Sequence, residues 1–250
     1  MTGDHLTEEG TSKTVVVNDV LLHYHEAGTG YPVIFLHSFG PGTTAWVTFY
    51  KNLPALAQHF RCILLDMPNF AKSGPVIYEE PVHSFFAKTV QGFMDCLGIE
   101  RAHLIGNSQG GQVALVFAYM FPQRVNKLVW GAGHIGTGGD RYLMGNIPSE
   151  GVRAELDETG YPDWETVRKY LLVHIDDPAL VTDELVGYIH YHATNRPDLV
   201  EARTRSISVE YDHGPEIVHI KAPTLMIWGR YDRMCVFEIG INALNHIPDS

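Results

Sequence analysis

Ala102-His-Leu-Ile-Gly-Asn-Ser-Gln-Gly-Gly-Gln-Val-Ala-Leu-Val-Phe-Ala118 is the stretch that decides the fold. A short apolar run at 102–105 leads into Gly106-Asn107-Ser108-Gln109-Gly110, and a helical run, Val113 to Ala118, follows directly. This is the G-x-S-x-G pattern in a strand–turn–helix context. Such a turn holds its serine in a strained backbone conformation. Glycines two before and two after let strand and helix close around it. The hydroxyl is then exposed at the top of a sheet, with a helix N-terminus behind it. The pentapeptide alone also fits an ordinary glycine-rich βα turn; the flanking runs select the nucleophile reading.

Working outward, Pro32–Leu36, Cys62–Leu65, His103–Ile105, Lys127–Trp130 and Thr224–Trp228 are continuous apolar runs. Runs of that kind belong to parallel strands covered on both faces. Helical patterns at 45–58, 83–97 and 109–120 lie between them, so the chain reads as a doubly wound α/β sheet. Thr14–Val17 and Val20–Glu26, separated by Asn18-Asp19, read as a hairpin. His23 and His25 alternate with Leu22 and Tyr24, and are expected as exposed strand residues.

The alternation stops after Gly133. Residues 137–215 carry helical patterns at 163–174, 183–194 and 197–211, with many aromatics and histidines, among them Tyr142, Tyr161, Trp164, Tyr170, His174, Tyr188, His190 and His192. Lys221-Ala-Pro-Thr-Leu-Met-Ile-Trp-Gly229 then resumes the sheet. The expected division is a core over 1–136, a helical cap over 137–215, and a second core piece over 216–250. A cap inserted there covers the sheet edge where ligands bind in such folds.

With 45% hydrophobic and 19% charged residues, the 250-residue chain has ample material for one core. A net charge of -11 with no lysine or arginine cluster argues against nucleic acid and against an anionic membrane surface as partners. A small-molecule substrate is the expected partner, and a homo-oligomer is left open. No secretory signal and no apolar stretch near the ~20 residues of a membrane span are present. Cys62, Cys96 and Cys235 form no disulfide pattern, which suggests a reducing cytoplasm, and Cys62 and Cys96 read as small buried hydrophobes. No metal is expected, because the pairs His23/His25 and His190/His192 lack further ligands at metal-site spacing. No cofactor is expected either: Gly136-Thr-Gly-Gly139 follows a strand but opens no dinucleotide motif.

Leu36-His-Ser-Phe-Gly-Pro-Gly42 follows the first strong strand. In this architecture that loop gives one oxyanion N–H, and the residue after the nucleophile gives the other. The donors here are the backbone amides of Phe39 and Gln109. His37 reads as a brace for the loop. Trp228-Gly-Arg-Tyr-Asp232 places an aspartate after a late strand, where the acid of a catalytic triad belongs, so Asp232 is the candidate partner of a histidine base.

His37-Ser-Phe-Gly-Pro-Gly42, Asp66-Met-Pro-Asn-Phe-Ala-Lys-Ser73, Gly106-Asn-Ser-Gln-Gly-Gly111 and Trp228-Gly-Arg-Tyr-Asp-Arg233 together resemble the α/β-hydrolase superfamily, most closely its meta-cleavage-product hydrolases. The resemblance runs from about residue 14 to 250 and is weaker through the cap. It implies a mostly parallel sheet with helices on both faces and a helical cap inserted after the sixth strand. It also implies hydrolysis of a carbon–carbon bond beside a carbonyl in a 2-hydroxy-6-oxo-dienoate. Ser108 and Asp232 would be catalytic, and Ser38, Phe39, Gly40, Asn107 and Gln109 would form the oxyanion and substrate site. A carboxylesterase of the same fold and a non-catalytic ligand-binding homologue stay open beside it. Ser38 and Phe39 stand where the family usually has glycines. The family's cap arginine, which clamps a substrate carboxylate, falls near Ile189 or His190; Arg196, Arg203 and Arg205 are the nearby cations. The family's histidine follows one further strand. His246 lies at an apparent helix end before that point, so the expectation is a chain continuing past Ser250 through a strand, a histidine-bearing loop and a closing helix.

Overall fold

A computed structural model of the chain describes residues 6–133, 150–156, 162–209 and 211–250. The boundary near 136, Gly136–Gly139, Tyr142 and Tyr161 lie outside them. Asn18 and Asp19 both adopt left-handed backbone (φ 48° and 65°). That two-residue turn matches the twist of a hairpin. It joins β1 (Ser12–Val17), which follows the short α1 (Glu8–Thr11), to β2 (Val20–Ala27) with Val17 facing Val20. β3 (Tyr31–Leu36), β4 (Phe60–Leu65), β5 (Ala102–Asn107), β6 (Val125–Gly131) and β7 (Thr224–Ile227) complete a seven-stranded sheet, ordered β1-β2-β4-β3-β5-β6-β7. β1 to β2 and β2 to β4 are antiparallel, and the other pairings are parallel.

The register sets the site. Leu36 of β3 pairs with Gly106 of β5, Gly106 with Trp130 of β6, and Trp130 with Met226 of β7. The loops after β3, β5 and β7 therefore leave the sheet at the same edge. Val33–Leu36 and Cys62–Leu65 are buried on both faces, as continuous apolar strands must be. On one face Ile34, Leu36, Ile63 and Leu65 meet α4 (Val82–Cys96) and α5 (Gln109–Met120). α4 presents Phe86, Val90, Phe93 and Met94, one stripe at helical spacing. Each such side chain stabilises the fold by about 1.5–3 kcal/mol on burial. On the other face Val33, Phe35, Cys62 and Leu64 meet α2 (Ala45–Phe49) and α3 (Leu53–Leu56). The helix expected over 45–58 is thus two. A 3₁₀ turn at Tyr50–Asn52 intervenes, and Pro54 occupies the first turn of the second helix, where its missing N–H costs nothing.

Between β6 and β7 stand α6 (Glu150–Leu156), α7 (Trp164–His174), α8 (Asp183–Thr194) and α9 (Pro197–Arg205). The Asp163 carboxylate caps α7 at Thr166 N–H, and the Thr182 hydroxyl caps α8 at Leu185 N–H. Val167, Leu171, Val181, Val186 and Ile189 give this insertion its own small core. α9 ends at Arg205, short of the expected 211. Ser206 turns extended while its hydroxyl donates back to Ala202 O, and Ile207–Ser208 pair in parallel with Glu79–Glu80. α10 (Glu238–Leu244) follows β7. No described helix is long and apolar enough to cross a membrane.

Two expectations are corrected. Cys96, at the end of α4, is exposed, whereas Cys62 is buried. His23 and His25 are buried, at 2% and 1% exposure, because β2 lies inside the sheet and Thr11, Ser12 and Trp46 close over them. Asp66 accepts from His23 Nδ1 and from Ala45 N–H, both at 2.7 Å. His23 Nε2 meets Ser12 Oγ at 2.7 Å, and His25 Nδ1 meets Thr11 Oγ1 at 3.0 Å. The His23, His25 and Asp66 donor atoms lie within 4.8 Å of one another, but hydrogen bonds already engage all three residues. Burial alone would raise the Asp66 carboxyl; His23 and the Ala45 amide outweigh it and hold it below the usual carboxylate range.

Burial pushes His25 and His213 down to about 4. In the unfolded chain both titrate near 6.5, so between pH 6.5 and 4 the unfolded state binds more protons and stability falls as pH falls. The urea midpoint is expected to drop steadily from pH 7 to pH 5. His25→Gln should flatten that slope, and an unchanged slope would show that His25 is not held neutral.

Candidate active site

Ser108 sits at φ 53°, ψ -124°, between the end of β5 and the first residue of α5. Its N–H donates to Gly131 O at 2.8 Å, and its own carbonyl accepts from Gln112 N–H at 3.0 Å. A non-glycine residue in the left-handed region stores strain, and these two bonds hold it there. The glycines around it are dictated by distance. A Cβ on Gly106 would lie 2.4 Å from Gly110 O, and one on Gly110 would lie 2.2 Å from Leu36 O and 2.4 Å from His37 O. The first turn of α5 thus rests on the backbone that opens the loop after β3. Among the described residues Ser108 Oγ has no hydrogen-bond partner. Asn107, also at the end of β5, stands beside Gly131 with its Oδ1 about 3.8 Å from where a Cβ there would lie.

His37 holds the loop after β3. Its Nε2 accepts from Met67 N–H at 3.0 Å, so Nδ1 carries the hydrogen and donates to Ser38 O at 2.5 Å. With both nitrogens committed, and with burial lowering its pKa, His37 is a neutral brace. Ser38 and Phe39 are half-buried. The Phe39 ring packs on Phe70 (5.0 Å) and Phe86 (4.8 Å), joining an aromatic wall instead of hanging free. Gly40 lies directly under the Tyr170 hydroxyl of α7, and Gly42 (φ 66°) under the Ile189 carbonyl of α8. Tyr188 of α8 reaches both Thr44 Oγ1 (3.1 Å) and Glu8 Oε1 (3.2 Å). The inserted helices are therefore seated on the loop that follows β3.

Asp232 follows β7 in a tight turn. Its Oδ1 accepts from the amides of Met234 and Cys235, both at 2.8 Å, and among the described residues Oδ2 has no partner. Its charge is felt at His174 on α7, an imidazole whose Nδ1 donates to Tyr170 O. His246 lies exposed beyond α10. His190 faces Trp164.

The three arginines separate. Arg205 pairs with Glu201 on the surface. Arg196 pairs with Asp198 and donates to Ala71 O. Arg203 lies over the Phe70 ring, 5.1 Å from its centroid, and donates to Asn69 O at 2.5 Å. Arg196 and Arg203 line a small cavity together with Gly40, Gly42, Phe70 and His192. Ile189 contributes an apolar side chain where the sequence lacks the family's arginine. Single-sequence reading also missed His83, whose Nε2 meets Gln109 Oε1 at 2.6 Å; nothing in the local sequence points from one to the other.

A family model described as the alpha/beta hydrolase fold matches residues 31–146. The chain is 36% identical to a 2-hydroxy-6-oxo-6-phenylhexa-2,4-dienoate hydrolase of Burkholderia cepacia, over 98% of this chain and 88% of that protein. It is also 36% identical to a 2-hydroxy-6-oxononadienedioate/2-hydroxy-6-oxononatrienedioate hydrolase of Comamonas testosteroni, with the same coverage. Among solved structures it resembles a meta-cleavage product hydrolase from Pseudomonas fluorescens, with TM-score 0.79 and 27% identity over 94% of this chain and 85% of that one.

The elbow geometry makes a ranked prediction. Gly110→Ala pushes a methyl into backbone that cannot move aside, and should cost about 3 kcal/mol of stability. Gly98→Ala instead forces a positive φ (64°) but meets nothing within 4 Å, and should cost about 1 kcal/mol. Equal losses in urea unfolding would contradict the close approach at Gly110.

Proposed function

The chain belongs to the meta-cleavage-product hydrolases of the α/β-hydrolase superfamily, and on that premise we propose that it cleaves the carbon–carbon bond beside the 6-oxo group of a 2-hydroxy-6-oxo-dienoate. The observation that carries the reading is Ser108, held at φ 53° at the N-terminus of α5, in a chain whose relatives of that name align over 98% of its length.

The proposed chemistry runs through a Ser-His-Asp triad. Ser108 Oγ attacks the C6 carbonyl carbon while a histidine takes its proton. Asp232, through Oδ2, holds that imidazole in the correct tautomer and stabilises its charged form. Negative charge developing on the carbonyl oxygen is met by the amides of Phe39 and Gln109, each such donor being worth about 3 kcal/mol in the transition state. The C5–C6 bond then breaks, and its electron pair passes into the dienoate fragment, which takes up a proton. Water releases the acyl group from Ser108. The same histidine assists ketonisation of the dienol before cleavage. Ser38, Gly40 and Asn107 line the substrate, and Asn107 offers its amide to a substrate oxygen.

The substrate's carboxylate needs a cation, and Ile189 supplies none. We assign that role to the guanidinium groups of Arg196 and Arg203. Arg196 stands at the N-cap of α9 and Arg203 follows seven residues on, on the same side, and both are pinned by carbonyls of the 69–71 loop before any ligand arrives. Among the described residues no acidic side chain lines the cavity they share with Gly40 and Gly42. The helices between β6 and β7 act as the cap that shapes the acyl side of the pocket, with Phe39 as part of its wall.

Three substitutions test this. Ser108→Ala should abolish turnover of 2-hydroxy-6-oxo-6-phenylhexa-2,4-dienoate while binding remains measurable, and Asp232→Asn should lower kcat by about 10⁴; turnover within tenfold of the unmodified chain would reject either assignment. Arg203→Gln should raise KM for the dienoate about 10-fold or more, a typical loss for one charge-assisted hydrogen bond, and leave KM for p-nitrophenyl acetate unchanged. A parallel rise for both substrates would place Arg203 outside carboxylate recognition.

A further inference from the structure

We propose that His83 is a positioning residue for the nucleophile elbow, acting through the side chain of Gln109. Gln109 follows Ser108 and opens α5. Its amide N–H belongs to the first turn, where intrahelical bonding leaves donors unpaired. Its side chain is not free: Oε1 lies 2.6 Å from His83 Nε2. A carbonyl oxygen can only accept, so Nε2 carries the hydrogen and Nδ1 is the bare nitrogen. Gln112, one turn further along α5, lies near the same ring, and its Oε1 is buried without a hydrogen-bond partner among the described residues. One imidazole from the first turn of α4 thus ties down the first side chain of α5.

The ring itself is backed by a second layer. His213 stands edge-on to His83 at 5.6 Å, shares a hydrogen bond with the Tyr119 hydroxyl at 2.7 Å, and packs at a tilt against Tyr211 at 4.7 Å. Tyr119 is also on α5, on the face that carries Gln109 and Gln112. Burial lowers the pKa of both imidazoles. The result is a polar seam along α5 that ends at the residue after the nucleophile. It fixes the rotamer of Gln109 and leaves its NH₂ as the part of that side chain still able to donate. Losing the seam frees Gln109 to rotate beside Ser108, which disturbs the step that develops charge there more than it disturbs substrate binding.

The inference rests on Ser108 and the Gln109 amide serving catalysis as proposed above, so the test has one arm independent of turnover. Nitrogen-15 NMR of the histidine-labelled full chain at pH 7 should show His83 neutral, with hydrogen on Nε2, and Gln109→Leu should shift that resonance. A charged ring, or hydrogen on Nδ1, overturns the proposal whatever the enzyme does. In the second arm His83→Ala should lower kcat for the phenyl dienoate about tenfold with KM within twofold. His83→Gln, which keeps an N–H for Gln109, should restore most of it. Combined with Gln109→Leu, His83→Ala should add little, as expected of residues acting in one chain. Additive losses, a loss confined to thermal stability, or no rescue by glutamine would each assign His83 to packing alone. If Ser108→Ala retains turnover while the NMR result holds, the catalytic reading has failed and the seam stands.

Discussion

Backbone meets backbone at the N-terminus of α5, and the rest of the molecule is arranged around that approach. The carbonyls of Leu36 and His37 lie where a Cβ on Gly110 would be, and Gly110 itself blocks a Cβ on Gly106. Three chain segments from two strands and a helix can come this close only without side chains. The consequence is chemical as well as steric. A helix N-terminus carries about half a positive charge, and here it is pressed against the loop that bears Phe39. Ser108, held by Gly131 and Gln112 at a positive φ, is half-buried in the gap that remains.

Much of this was legible in the sequence, for a physical reason. Gly106, Gly110, Asn18 and Asp19 mark places where backbone geometry admits few residues, so identity reports conformation directly. The apolar runs at 32–36 and 62–65 report burial on both faces in the same direct way. What escaped depends on partners far along the chain. His23 and His25 read as exposed because period-two alternation shows which face a residue is on, and not whether that face is covered. Asp66, 43 residues from His23, makes their burial tolerable. The link between His83 and Gln109 spans 26 residues and leaves no local pattern. The helix running to 211 stopped early because Ser206 bonds its own helix carbonyl and the next residues find a strand at Glu79–Glu80.

Histidine is used here mainly as a neutral connector. His37 joins Met67 N–H to Ser38 O, His83 donates to the Gln109 side chain, and His25 and His213 are each kept from charging by burial. In a chain with net charge -11, the two guanidiniums proposed for the substrate carboxylate, Arg196 and Arg203, are pinned by carbonyls of the 69–71 loop. Asn69 and Ala71 stand at positive φ in that loop, the conformation that turns those carbonyls toward the arginines at some cost in strain.

Gly42 supports the Ile189 carbonyl of α8 with no side chain between them. The inserted helices and the segment from Ser38 to Thr44 are consequently two halves of one heritable unit. A cap borrowed from a relative would arrive with a different helix backbone over Gly42 and would press on the loop that carries Phe39. Changes in substrate range by wholesale exchange of the insertion therefore require the loop after β3 to travel with it, while single replacements on the inner faces of α7 and α9 leave that joint intact. Divergence within such a lineage should run through point changes in the roof far more readily than through recombination at its base.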